Sequence, residues 1–282
     1  MDSIINYFET IPSLHRTIIL FGGLTILLLI ENFIPFFRMQ YNKTKHVGLN
    51  LFFTFTTILV NFVMAFVLIK AATWTVINDF GIINWLPLPI ILYTFIGLIL
   101  LDLFGAYTPH WVEHHQKHLW QFHVIHHTDQ HVDASTANRH HPGESVIRFT
   151  FTVLAVLIVG APVWLVMLYQ ALSAIFAQFT HANINIPNWL NKALVWLFVT
   201  PNMHRVHHHY RQPYSDKNYG NIFSIWDRLF GTLEVVDNKK LVYGLDTHMQ
   251  HEEAHNIWTM LKLPFLGYRG RIEYENEENL NS

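Results

Sequence analysis

VIRFTFTVLAVLIVGAPVWLVMLYQALSAIFAQF, residues 146–179, is the stretch on which the fold turns. About 20 apolar residues in a helix cross the hydrocarbon core of a bilayer, so this run is too long for one crossing. Gly160, Ala161 and Pro162 stand at its middle, where proline removes a helix hydrogen bond and favours a break. The stretch therefore reads as two antiparallel arms that enter the membrane and return on the same side.

Three earlier runs, 17–37, 51–72 and 86–104, are each long enough for a full crossing. The chain is 51% hydrophobic, 15% aromatic and only 13% charged. That balance excludes an ordinary soluble domain. The predicted architecture is an all-α polytopic membrane protein: three transmembrane helices, the Pro-broken hairpin, and clustered histidines outside the spans. Residues 1–104 form the membrane region, 105–235 the histidine-cluster region with hairpin 146–179 inside it, and 236–282 a polar cytoplasmic tail. The acidic end of that tail, 273–282, is expected to fray.

Lysine and arginine in short loops mark the cytoplasmic side, and here they are Arg38, Lys43 and Lys45. From that side the chain goes out to the 73–85 loop and returns before His110. Because the hairpin also goes in and comes back, everything from His110 to His208 outside it falls on the cytoplasmic face. Lys70 opposes this orientation, although its long side chain can reach the interface. Asp2 and Glu9 precede the first run and no small-residue cleavage site follows it, so that run is expected to remain as an anchor. A bacterial inner membrane and an endoplasmic reticulum both remain open. A net charge of -2 offers no concentrated basic face for nucleic acid.

All of the 20 histidines except His15 and His46 follow residue 100. Three tight groups stand out: His110/His114, His123/His126/His127 and His204/His207/His208. Spacings of three and four place side chains on one face of a helix, so each group could chelate from its own helix. The chain has no cysteine, so any transition metal must be held by nitrogen and oxygen. Eight imidazoles exceed what one ion with an open position can use, and two ions are the economical reading. Spacing alone does not name the metal.

Two look-alikes fail on context. His110-Trp-Val-Glu113-His114 has the form of an inverted zinc-protease motif, but such a site needs no further histidine groups. Arg139-His140-His141-Pro142-Gly143 approaches a haem-binding HPGG, with Glu144 in place of the second glycine and no haem domain around it.

The chain resembles the fatty acid hydroxylase/sterol desaturase superfamily of integral membrane di-iron enzymes. The resemblance runs through Asp102-Leu-Phe-Gly-Ala-Tyr107, His110-x-x-x-His114, Leu119-Trp120-Gln-Phe122-His123-x-x-His126-His127 and Arg139-His-His141-Pro142. It continues in His181-Ala-Asn183, Pro201-Asn-Met-His204-Arg-Val-His207-His208, Asp216-x-Asn218-Tyr219-Gly220 and Trp226-Asp-Arg-Leu-Phe230-Gly231-Thr232. Trp111 replaces the usual arginine and Thr128 the usual serine, which weakens any assignment to a subfamily.

The resemblance implies a cytoplasmic helical cap carrying the histidine clusters, two irons that activate dioxygen, a lipid substrate, and hydroxylation or desaturation of an unactivated C–H bond. It implies His110, His114, His123, His126, His127, His204, His207 and His208 as ligands, with His141 and His181 as candidates to complete the set. Asp102 and Asp216 are the acidic residues expected to accept hydrogen bonds from ligand imidazoles. His115, His118, His131, His140 and His209 fall outside the matched positions. With no dinucleotide fingerprint or iron–sulfur motif, electrons must come from outside: a ferredoxin, a cytochrome b5 type donor or a reduced pterin. Two other classes remain, a zinc-dependent membrane hydrolase and a metal-binding or transport protein. Transport ligands belong near the midplane, and runs 17–37, 51–72 and 86–104 contain no histidine.

Overall fold

The computed structural model describes residues 1–270 and 272; the 273–282 tail lies outside the described residues. Every regular element among them is helical, and no strand forms. After α1 (Asp2–Glu9) come α2 (Ser13–Phe33), α3 (Lys43–Ile77) and α4 (Ile90–His115), then α5 (Lys117–His127). The hairpin arms are α6 (Pro142–Val159) and α7 (Val163–His181). Shorter helices complete the described chain: α8 (Asn188–Leu194), α9 (Pro201–His207), α10 (Ile225–Leu229), α11 (His251–His255) and α12 (Ile257–Lys262).

Five helices, α2, α3, α4, α6 and α7, are long and apolar enough to cross a membrane. They are the three spans and two hairpin arms read from the sequence, and the chain is an integral membrane protein. The boundaries move for local reasons. Pro89 precedes α4 in extended conformation, so that helix starts later than residue 86. It then continues past 104 through a π-helical turn, 103–107, and carries His110 and His114 on its last turns. Lipid-facing residues of α3 such as Val63 and Phe66 remain exposed, as they must where the solvent is hydrocarbon.

The break in the hairpin has a defined geometry. Gly160 sits at φ 83°, a left-handed helix end that glycine adopts without strain, and Pro162 in extended conformation launches α7. The 78–89 loop packs against this turn: Ile82 and Ile83 donate to the carbonyls of Ile158 and Val159, and Asn84 reaches Gly160 O at 2.9 Å. At the other end of the bundle, Phe36 N donates to Asn183 O, joining the chain after α2 to the chain after α7. The histidine-bearing ends of α4 and α7 lie at that second end.

Candidate metal centre

Three short helical pieces and one hairpin arm bring nine buried histidines together. They fall into two groups. His110, His114, His123, His127 and His207 form the first; His126, His181, His204 and His208 form the second. Within each group one nitrogen per residue lies within 4.8 Å of all the others. All eight histidines of the three sequence groups are included, and His181 makes the ninth.

The grouping does not follow the sequence groups, so single helices do not chelate on their own. At 3.6 residues per turn, positions four apart nearly eclipse, while the position three along points away by a further part of a turn. On α5 the pair His123/His127 therefore enters the first group and His126 turns to the second. On α9 the arrangement reverses: His204 and His208 enter the second group and His207 the first. Each of these helices forms a ridge between two sites.

Outer nitrogens fix which atoms face inward. Nδ1–H of His110 and of His207 donates to the carbonyls of Tyr219 and Lys217, both at 2.8 Å, and His181 Nδ1–H to Ala177 O at 2.7 Å. His114 Nδ1 meets Asp216 Oδ1 at 3.0 Å, and His123 Nδ1 meets Glu144 Oε1 at 2.7 Å. With Nδ1 protonated, Nε2 carries the lone pair. Nε2 atoms of both groups converge: His114–His127 at 3.1 Å, His127–His123 at 3.2 Å, His181–His126 at 3.0 Å and His204–His181 at 3.1 Å. The inward Nε2 atoms of His110 and His207 have no hydrogen-bond partner among the described residues. Buried lone pairs aimed at one another are costly unless a cation sits between them. The donor set fits two transition-metal ions.

Burial enforces the neutral state of these imidazoles. It holds His126, His127, His204, His207 and His208 well below the ordinary histidine value, with neighbouring imidazoles adding to the effect. Burial likewise lowers His123 to about 3, against the raising influence of Glu144. Neutral imidazole is the form that binds metal.

One loop, 216–220, supplies all three outer partners of His114, His207 and His110. Asp227 fastens it by accepting from Tyr219 N and Gly220 N, and Asn218 spans Met203 O and Glu234. Asp102 does not touch a ligand imidazole, unlike the expectation for it. It accepts from Ile222 N, Phe223 N and the Trp226 indole, at 3.1–3.2 Å, and so anchors the next turn of the same loop. Asp216 does face its imidazole. His141 lies outside both groups because both of its nitrogens are engaged elsewhere: Nδ1 accepts from Gly143 N at the start of α6, and Nε2–H points to Leu261 O of α12. His115, His131 and His209 also lie outside both groups.

Several residues go unnoticed at sequence level. Glu144 accepts from His123, His140 and Arg148, and Arg148 also donates to Glu113 at 2.6 Å. Glu31, on an otherwise apolar span, accepts from Ala134 N and Asn183 N. His46 is clamped between Asp129 and Asp133 at 2.9 and 3.1 Å, next to the turn that follows His127. An ionisable residue on a membrane helix is itself a signal of an internal polar partner.

A cavity of about 760 Å³ ends at these groups. His110, His126, His181 and His204 stand in its wall, and it runs down α7 past Ala177, Ala174 and Ala171 to Met167. At the rise of 1.5 Å per residue that path is roughly 21 Å long. The lower walls come from Leu20 and Phe21 of α2 and from Ile58, Phe62 and Ile69 of α3.

Residues 94–232 match the fatty acid hydroxylase family. Ornithine lipid hydroxylase OlsE of Rhizobium tropici is 27% identical over 66% of this chain and 54% of its own length. Human alkylglycerol monooxygenase is 32% identical over 55% of the chain and 36% of its own length. Methylsterol monooxygenase 1-3 of Arabidopsis thaliana is 25% identical over 77% of the chain and 74% of its own length. The chain thus spans about half or less of the first two relatives. No solved structure matches it significantly.

Proposed function

We propose that this member of the fatty acid hydroxylase superfamily is a membrane monooxygenase that inserts one oxygen atom of O2 into a C–H bond of a lipid, using two irons held by the nine clustered histidines. The other oxygen atom leaves as water, with two electrons and two protons supplied from outside the chain. The observation that carries this reading is the meeting of two all-imidazole groups with the end of a long, largely apolar cavity. A pair of irons bound there would supply the redox capacity that dioxygen chemistry needs.

The residues of the chain do the rest. Apolar walls from α2, α3 and α7 take up a hydrocarbon chain and exclude water from the histidine end, which limits side reactions of an oxidant. Asp216, Glu144 and the carbonyls of Lys217 and Tyr219 hold the imidazoles oriented, while burial keeps them neutral. Asp102 and Asp227 hold the loop that carries three of those partners. The relatives are named as hydroxylases and monooxygenases, which favours oxygen insertion over desaturation. The basic residues Arg38, Lys43 and Lys45 favour a site facing the cytoplasm, where a ferredoxin, a cytochrome b5 type protein or a reduced pterin would deliver electrons.

Lipid profiling of cells expressing the protein under isotope-labelled dioxygen tests this reading. The expected result is a hydroxylated lipid carrying the label, lost under nitrogen and lost in His126→Ala. A product that forms equally without oxygen, with stoichiometric zinc in the purified protein, would establish a hydrolase instead.

A further inference from the structure

Arg148 occupies an unusual place. It lies on the second turn of α6, inside a segment apolar enough to cross the membrane, yet its guanidinium turns into the bundle and lines the same cavity as the histidines. An arginine at such depth is costly unless it faces an internal polar site. Two of its donor atoms are committed: Nε to Glu144 Oε1 at 2.9 Å and Nη2 to Glu113 Oε2 at 2.6 Å. The third, Nη1, makes no hydrogen bond among the described residues.

Charge limits what Nη1 can meet. Two buried carboxylates, Glu113 and Glu144, already face the one guanidinium. A carboxylate or phosphate arriving at Nη1 would approach two carboxylates as well as one cation. A neutral acceptor oxygen would gain a hydrogen bond from a charged donor without that repulsion. The cavity is polar at this level, where Arg148, His140 and Thr152 stand near the metal groups, and apolar farther down, where Leu20, Phe62 and Ile69 line it.

We propose that Arg148 is a substrate-positioning residue: its Nη1 holds an uncharged linkage oxygen (ether, ester, amide or hydroxyl) of a long-chain lipid, whose tail runs down the alanine-lined side of α7. This deepens the monooxygenase reading and rests on it only for the reaction that follows. It places carbons near the polar linkage, rather than the end of the tail, opposite the histidines. Arg148 is joined to them through Glu144 and His123.

The test is ligand binding, measured without turnover on the full-length protein in detergent. The probes are a neutral hexadecyl glyceryl ether, hexadecane and palmitate, each compared between wild type and Arg148→Lys so that partition into the micelle cancels. The ether is expected to weaken about tenfold in Arg148→Lys, the order of one hydrogen bond from a charged donor, while hexadecane is unchanged. Ala174→Trp, which touches no ion pair, is expected to weaken the ether and hexadecane alike. An ether affinity unmoved by Arg148→Lys, or palmitate binding wild type more tightly than the ether, would overturn the assignment. Metal content of the same samples separates the two ideas. Two ions bound with no ether effect refutes the anchor alone, whereas an ether effect without metal refutes the monooxygenase reading and leaves the anchor standing.

Discussion

His181 Nε2 lies 3.0 Å from His126 Nε2, although they are 55 positions apart and both arms of the hairpin intervene. His181 is the last residue of α7, and its Nδ1–H donates to Ala177 O one turn back, so the helix itself aims the inward nitrogen. Removing it should take one of four ligands from the second group and none from the first. His181→Ala is expected to retain about one ion per chain and to lose activity. His141→Ala should keep both ions, at a cost of about 1 kcal/mol for the lost helix cap. Metal analysis of the two purified variants decides between them.

Asp216 and Glu144 each face the outer nitrogen of a first-group histidine. Asp216→Asn and Glu144→Gln should therefore weaken metal binding by about 10–100-fold without changing the number of sites, the usual effect of such partners. Metal titration in competition with a chelator measures this. Asp102→Ala should instead destabilise the fold by about 1–3 kcal/mol, because it strips buried backbone donors of Ile222 and Phe223 of their acceptor.

The membrane plan was legible in the sequence because length and apolarity act locally: Pro162 and Gly160 announced the hairpin, and what moved was where helices begin and end, as at Pro89 and at the π-helical turn that carries α4 on to His115. The eight clustered histidines were legible for the same reason, since helical spacing is a local property. The division of those eight and His181 into five and four was not, because it depends on how α5 and α9 are rotated against α4 and α7. His141 occupies a family position yet starts a helix, and Asp102 acts on backbone donors more than a hundred residues away; neither fact has a local signature. Glu31 and His46 carried a readable sign, a titratable group on a membrane helix, but their partners at Asn183, Asp129 and Asp133 are set by tertiary packing.

His46 illustrates the energetic weight of those hidden partners. Both of its nitrogens face carboxylates, on Asp129 and Asp133, and all three side chains are buried. Truncation leaves two buried carboxylates short of their partner, a loss of about 3–5 kcal/mol. His46→Ala is expected to unfold at markedly lower temperature than wild type in the same detergent. An unchanged midpoint would show that the network contributes nothing to stability.

Acid should weaken the metal-free fold with a definite sign. Unfolded, the ligand histidines take up protons near the ordinary value of about 6.5. Folded, burial keeps them neutral far below that, to about 3 for His123. Between these limits the unfolded state binds more protons, so stability is full above about 6.5 and is lost as pH falls toward the folded values. Thermal unfolding of the metal-stripped protein should show a midpoint that drops steadily from about pH 7 to about pH 5. A flat profile over that window would mean that the imidazoles are not held neutral by burial.

Counting metal in the purified full-length protein bears most directly on the two-ion centre. The account predicts about two irons per chain, falling to about one in His181→Ala. One ion in wild type, or two zinc ions that iron cannot replace, would contradict it.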